Sequence, residues 1–328
     1  MILLYPLKII GFEDLFYRTE GLIQYGMLRM IAMWSQWAGY EVLETGDDIT
    51  ECLEERTLVL VNHQSAGDIP ILLNAFIDRI QILPNVMWIM DNHLKYSTFG
   101  IVCAIHRDFF IFQGKEFREK SLEALSKHLT ESYIPLKRKW LVIFPEGGFL
   151  YKRRERSQKY GQKNNLPHLE HVTIPRVGAL QVVMNELKTK TATLDNNSTG
   201  THPSHHLKYI LDVTIGYPRG EPLGILDLIF GNLAPSKTTL YYRLFPISQV
   251  PQGNEALSKW IIDRWAEKEN LLDTFYKTGS FPNSNPPRVV RQNLLQYLGI
   301  HVAFLASTYF HYQMLTQIYQ YFCSNFPS

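Results

Sequence analysis

The sequence predicts an α/β fold, a sheet flanked by helices, on three observations. Short β-rich runs alternate with longer segments whose apolar residues recur at helical spacing. Three of those runs end in polar or special residues, VNHQSAGD after 57–61, PEGG after 140–144 and PRVGA after 172–174. In open α/β sheets ligand sites gather beyond the carboxyl ends of strands, so these endings are expected to converge on one crevice. Finally, 328 residues are enough to bury a sizeable core without stabilising disulfides or metals.

In chain order, residues 1–45 carry apolar residues interrupted by Lys8, Glu13, Asp14, Arg18, Glu20 and Arg29. That leaves no clean spanning run. The tryptophan-containing stretch GLIQYGMLRMIAMWSQWAGY suits a membrane-interfacial helix, the alternative being an amphipathic helix packed on the domain. No signal-peptide cleavage pattern is evident, so the segment is expected to be retained.

Residues 46–250 form the expected α/β domain. Strands are predicted at TLVLV 57–61, VMWIM 86–90, IVCAI 101–105, WLVIF 140–144, VTI 172–174, YILDVTIGY 209–217 and TLYYRLFPI 239–247. Helices are predicted in IPILLNAFIDRI after Asp68 and in EFREKSLEALSKHLTESY at 116–133. The polar stretch from Lys188 to His206 reads as a surface loop whose His202, His205 and His206 are solvated, and whose Asn-X-Ser/Thr sequons matter only in a lumenal setting. From Gln292 to Ser328 there is no Asp, Glu, Lys or Arg. With Arg288 and Arg291 flanking its start and tyrosines at its far end, 291–328 is predicted as a transmembrane helix, against a buried core helix as the alternative. Its weak points are His301, His311, Gln313, Gln317 and Gln320.

The chemistry starts at His63 and Asp68. Five positions apart on a helix they would point about 140° away from each other. In a loop running from strand to helix, the Asp68 carboxylate folds back to take the imidazole Nδ1 hydrogen and leaves Nε2 as a base. Ser65, Ala66 and Gly67 are small enough for that turn, and Pro70 suits the first helical turn, so Asp68 is helix N-cap, base-orienter or both. No GxSxG nucleophile elbow is present, and Cys52, Cys103 and Cys323 have neither ligand nor nucleophile spacing. A base without a protein nucleophile implies that the substrate supplies one, most simply a hydroxyl. After the later strand come Glu146, Gly147 and Gly148, then Lys152, Arg153, Arg154 and Arg156, a set in which glycine backbone and cationic side chains suit a phosphate. With 33 basic against 31 acidic residues and the basic ones local, a nucleic-acid role has little behind it.

These residues resemble the glycerolipid (PlsC-type) acyltransferases, marked by NHxxxxD, here Asn62 to Asp68, and a PEG motif, here Pro145-Glu146-Gly147, about eighty residues later. FPEGGFLYKRRERSQKYGQKNNLPHLEHVTIPR and WAEKENLLDTFYKTGSFP look more closely like the lysophosphatidylglycerol acyltransferase branch and its C-terminal extension, placed at 251–290. The resemblance implies that His63 is the general base on a lysophospholipid hydroxyl, oriented by Asp68, with acyl-CoA as co-substrate and no metal or prosthetic group. Glu146, Gly147 and Gly148 would line the acceptor pocket; Lys152, Arg153, Arg154 and Arg176 would hold phosphate. It further implies membrane lipids as surroundings, the endoplasmic reticulum membrane as location, and no obligate protein partner. The sequence departs from the family where Gly148 and Leu150 stand for the usual threonine and arginine. It departs again where FFIFQG ends in Phe112 and Gln113 instead of an arginine, for which Arg107 is a possible substitute. Hydrolysis of a lipid, acylation of monoacylglycerol or lysophosphatidic acid, and a membrane-tethered scaffold without turnover are the alternatives.

Overall fold

The computed structural model describes residues 4–79, 81–114, 116–187, 206–282 and 285–325. Strands β1 (Glu41–Gly46), β2 (Thr57–Val61), β3 (Val86–Asp91), β4 (Phe109–Ile111), β5 (Trp140–Ile143), β6 (Tyr209–Gly216), β7 (Lys237–Pro246) and β8 (Arg288–Val289) form an eight-stranded sheet. The order is β4-β3-β5-β2-β6-β7-β1-β8. β2 is central and runs parallel to both β5 and β6, while the long β6–β7 pair is antiparallel. The period-two geometry of a strand divides β2 between two cores. Val59 and Val61 face one core with α3 (Asp68–Phe76) and α2 (Glu13–Trp37). Leu58 and Leu60 face the other with α5 (Arg118–His128), α7 (Gly178–Glu186) and α9 (Asn254–Thr278). Burial on both faces is why β2 reads as an unbroken apolar run.

Most of the expected strands form, and two do not. Residues 101–105 lie in helix α4 (Thr98–Ile105), started by Ser97, whose hydroxyl accepts the Gly100 N–H at 2.9 Å. That cap outweighs the β propensity of Ile and Val. Residues 172–174 pair with no strand among the described residues because side chains take their amides. Val172 N–H donates to Glu269, Thr173 N–H to Glu146 and Ile174 N–H to Ser157. Helix α6 (Leu150–Lys163), which carries the basic run, has no apolar stripe for the sequence to announce. The histidines His202 and His205 and both sequons lie outside the described residues.

The N-terminal helix is not a free interfacial element. α2 buries Phe16, Tyr25, Leu28, Ala32 and Met33 against the domain, together with Glu20, Gln24 and Arg29. Of its polar groups, Glu20 accepts from His106 Nδ1 at 2.8 Å and Arg29 donates to the Tyr25 hydroxyl at 2.7 Å, while the Gln24 amide has no hydrogen-bond partner among the described residues. At the other end, α10 (Leu294–Asn325) extends for 32 residues and touches α2, where Phe304 and Ile300 pack beside Gly26. Its length is that expected, but its apolarity falls short. Among the described residues no helix is long and apolar enough to cross a membrane, which corrects the spanning assignment of 291–328. The physical reason is the polar load of His301, His311 and the glutamines along the helix.

Candidate active site

β2 ends at Val61, and the next residue finishes its ladder with a side chain. The Asn62 amide accepts the Ile215 N–H at 2.8 Å and donates to the Ile215 carbonyl at 3.2 Å, so β6 stays paired while the main chain turns away. That turn delivers His63 to the carboxyl edge of the sheet. Its Nδ1 lies 2.8 Å from Asp68 Oδ2, and its ring stacks on Phe144 at 4.1 Å with Phe149 edge-on at 4.6 Å. Nε2 has no hydrogen-bond partner among the described residues, and the side chain is 11% exposed. Asp68 is completely buried. It is the first residue of α3, with Gly67 in the cap position, so the expected N-cap role is not the one it plays. Its carboxylate turns back to accept the N–H groups of Gln64 at 2.7 Å and Ser65 at 3.0 Å, while Tyr217 donates its hydroxyl to the other oxygen at 2.6 Å. Hydrogen bonds of this number hold the carboxylate rigidly in place.

Glu146 faces inward. It is 2% exposed, and its two oxygens accept from His63 N–H at 3.0 Å, Trp265 Nε1 at 3.3 Å, Thr173 N–H at 3.0 Å and the Thr173 hydroxyl at 2.9 Å. The expected place lining an acceptor pocket thus becomes a clamp that fixes the backbone of the base to two other segments. Burial pushes its carboxyl up to about 7 despite those four donors. The strand end beyond it is tied back again by Leu150 N–H, which donates to the His63 carbonyl at 2.9 Å.

The glycines make room for cations. Gly147 has φ +68°, and a Cβ there would meet the Arg176 guanidinium at 3.0 Å; one on Gly148 would meet Arg153 at 2.4 Å. Of the basic run, Arg153 turns inward from α6, whereas Lys152 and Arg154 lie on its exposed side. Lys152 instead sits over the Phe149 and Tyr151 rings. Arg153 and Arg176 both donate to the Gln113 amide oxygen, the second at 3.4 Å. Burial and then the neighbouring Arg176 and Arg156 push the Arg153 guanidinium down to about 10. Arg176 is lowered in the same way by burial, Arg118 and Arg156. Guanidiniums held down by burial and by neighbouring arginines describe a place short of an anion. Gln113 therefore occupies the position for which an arginine was expected. Arg107 does not replace it, because it precedes β4 at the opposite edge, where its carbonyl accepts from His128.

Helix α9 braces the loops of Glu146, Val172 and Gln64. Besides Trp265 on Glu146, its Glu269 accepts the Glu170, His171 and Val172 N–H groups at 2.8–3.2 Å, and Tyr276 donates to Gln64 at 3.1 Å. Buried Lys268 pairs with Asp212 at 2.5 Å. Sequence reasoning missed Trp265, Thr173, Tyr217, Gln113 and Asp91 as site residues. Trp265 opens WAEKENLLDTFYKTGSFP, Thr173 lies in the stretch ending HLEHVTIPR and Gln113 in FFIFQG, all segments already singled out, though none of the three was given its role.

Residues 38–185 match the family described as Acyltransferase, and residues 228–304 match Acyltransferase C-terminus. The chain is 42% identical to Acyl-CoA:lysophosphatidylglycerol acyltransferase 1 of Mus musculus over 97% of its own length and 88% of that protein's. It is 40% identical to the Homo sapiens protein of that name over the same shares. The chain belongs to the acyltransferase family. A further relative, a Putative 1-acyl-sn-glycerol-3-phosphate acyltransferase of Caenorhabditis elegans, is 30% identical over 76% of this acyltransferase and 64% of its own length.

Within this acyltransferase Tyr217 is a positioning residue for Asp68. Tyr217→Phe keeps the ring and deletes one 2.6 Å bond to a buried carboxylate. The expected loss is about tenfold in kcat, corresponding to a charged hydrogen bond of roughly 1.5 kcal/mol, with KM nearly unchanged. Steady-state kinetics check it, and a loss confined to KM would contradict the assignment.

Proposed function

We propose that this acyltransferase transfers the acyl group of acyl-CoA to the free hydroxyl of a lysophospholipid, lysophosphatidylglycerol or lysophosphatidylethanolamine. The observation that carries the reading is the 2.8 Å bond between His63 Nδ1 and Asp68, which leaves Nε2 as the acceptor nitrogen. His63 takes the proton of the acceptor hydroxyl as its oxygen attacks the thioester carbonyl. The carbon–sulfur bond then breaks, CoA leaves, and the imidazolium returns the proton to its sulfur. No acyl-enzyme forms, consistent with the lack of a GxSxG elbow. Arg153 and Arg176 bind the phosphate of the acceptor or of CoA, with Gly147 and Gly148 admitting them to the backbone. Lys152 and Arg154 serve at most as an outer rim. The lysophosphatidylglycerol head group is supported by the two mammalian relatives, which span most of the chain.

The location belongs to the same reading: the endoplasmic reticulum membrane, with residues 46–250 carrying the chemistry and 251–290 bracing it. α10 meets the lipid. Support comes from the large apolar side chains it leaves exposed, among them Leu295, Leu305, Tyr309, Phe310 and Leu315. The experiment is an incubation of the purified chain with labelled acyl-CoA and a panel of lysophospholipids and monoacylglycerol. Label is expected in diacyl phospholipid and not in free fatty acid. Label in fatty acid alone would replace transfer by hydrolysis, and no turnover with any acceptor would end the enzymatic reading.

A further inference from the structure

The parallel pairing of β3 with β4 sets Asp91 beside Ile111, so the two strands end together and Gln113 follows two residues later. The Gln113 amide nitrogen donates to Asp91 Oδ2 at 2.5 Å and to the Gly147 carbonyl at 2.8 Å. Its oxygen accepts from Arg153 and Arg176. An acidic residue therefore stands one amide away from both guanidiniums, at a place where two cations gather on glycine backbone. Asp91 is partly buried, at 31% exposure, and its other bonds come from the His93 N–H at 2.9 Å and from His93 Nδ1 at 2.7 Å, on a ring that is 92% exposed.

The charges decide what such a site takes. Arg153 and Arg176 supply two positive charges and Asp91 one negative, a net of +1 for the groups that the Gln113 amide joins. Arg118 and Arg156 are exposed, as Arg176 is, but neither bonds to the Gln113 amide, and water and salt screen them from it. Glu146, buried behind Gly147, adds no positive charge. Gln113 has already used its amide hydrogens, so it offers an incoming anion only the negative end of its dipole. A phosphodiester carries one negative charge, whereas a phosphomonoester, with a second pKa of about 6, carries nearly two at neutral pH.

We infer that Asp91 and Gln113 make the Arg153–Arg176 site a charge filter that accepts a phosphodiester head group and disfavours a phosphomonoester. This deepens the acyl-acceptor reading above and rests on it. Head-group selection is then a matter of charge at the phosphate, before any contact with the group attached beyond it.

The test compares lysophosphatidylglycerol with lysophosphatidic acid as acceptors for the full chain at neutral pH and saturating acyl-CoA. The unmodified protein is expected to favour the diester by about tenfold or more in kcat/KM, as one uncompensated charge beside the part-buried Arg153 implies. Asp91→Asn keeps the shape of the side chain and removes its charge; Gln113→Arg adds a positive charge at the hub. Each is expected to raise the monoester-to-diester ratio by about tenfold, chiefly through the KM of the monoester. Equal use of both acceptors by the unmodified protein, or an unchanged ratio in both variants, overturns the filter and leaves lysophospholipid acylation standing. Failure to acylate either acceptor overturns both.

Discussion

His63→Ala is expected to lower kcat/KM for lysophospholipid acylation by about 1,000-fold, near 4 kcal/mol of transition-state stabilisation. Nothing else among the described residues stands ready to replace the base. Asp68 is fully buried behind the ring, with both oxygens engaged by Gln64, Ser65 and Tyr217. Glu146 is held on the far side of the backbone by four donors. The substitution also empties the space between Phe144 and Phe149, so a thermal melt should accompany the kinetics. A modest fall in melting temperature together with near-complete loss of turnover is the expected pair of results. Residual activity within tenfold of the parent would show that His63 is not the base.

The second large effect concerns Glu146 and is read in stability against pH. Its folded-state carboxyl, pushed up to about 7 by burial, lies above the ordinary value of 4.5 that it takes when unfolded. The folded protein therefore holds this proton more tightly. The contribution is fully present below 4.5 and is lost as pH rises through about 7, by about 3 kcal/mol across that window. Glu146→Gln cannot ionise and removes that slope. It also places an NH₂ group against two of the four donors, which costs about 2 kcal/mol at low pH. The variant should thus melt well below the parent at acidic pH, and the gap should close as pH approaches and passes 7. Melting curves over that range test it, and two parallel profiles would show that the proton resides elsewhere. Because the carboxylate holds the His63 backbone, kcat should fall as well, by about tenfold to a hundredfold.

What the sequence disclosed and what it concealed follow from chain distance. His63 and Asp68 are neighbours in one loop, and their motif makes sense locally. Tyr217 meets Asp68 across 149 residues and Trp265 meets Glu146 across 119, partnerships made only by the strand order. Gln113 was noticed as a departure, but its role depends on β3 and β4 ending side by side. The N-terminal helix misled for another reason. Glu20 and Arg29 read as charges that interrupt an interfacial helix, whereas Glu20 is buried against His106 and Arg138, contributed by segments more than eighty residues away. Composition cannot register a buried charge whose counterpart is distant. α10 shows the reverse: absence of formal charge suggested hydrocarbon, while neutral His and Gln kept the helix too polar to span it.

Helix α9 has a consequence of its own. Its residues Leu257, Ile261, Trp265, Leu272 and Phe275 belong to the same core as Leu58 and Leu60 of the central strand. Through Trp265, Glu269 and Tyr276 it also grips the three loops that carry Glu146, Val172 and Gln64. The two matched family segments are therefore not two cooperative units, although they are separate stretches of sequence. The segment that carries His63 leaves part of its core and the partners of Glu146 and Gln64 to a helix nearly two hundred residues downstream. In a chain made from its amino end, His63 emerges early, yet the helix that braces its loops follows only at Asn254–Thr278.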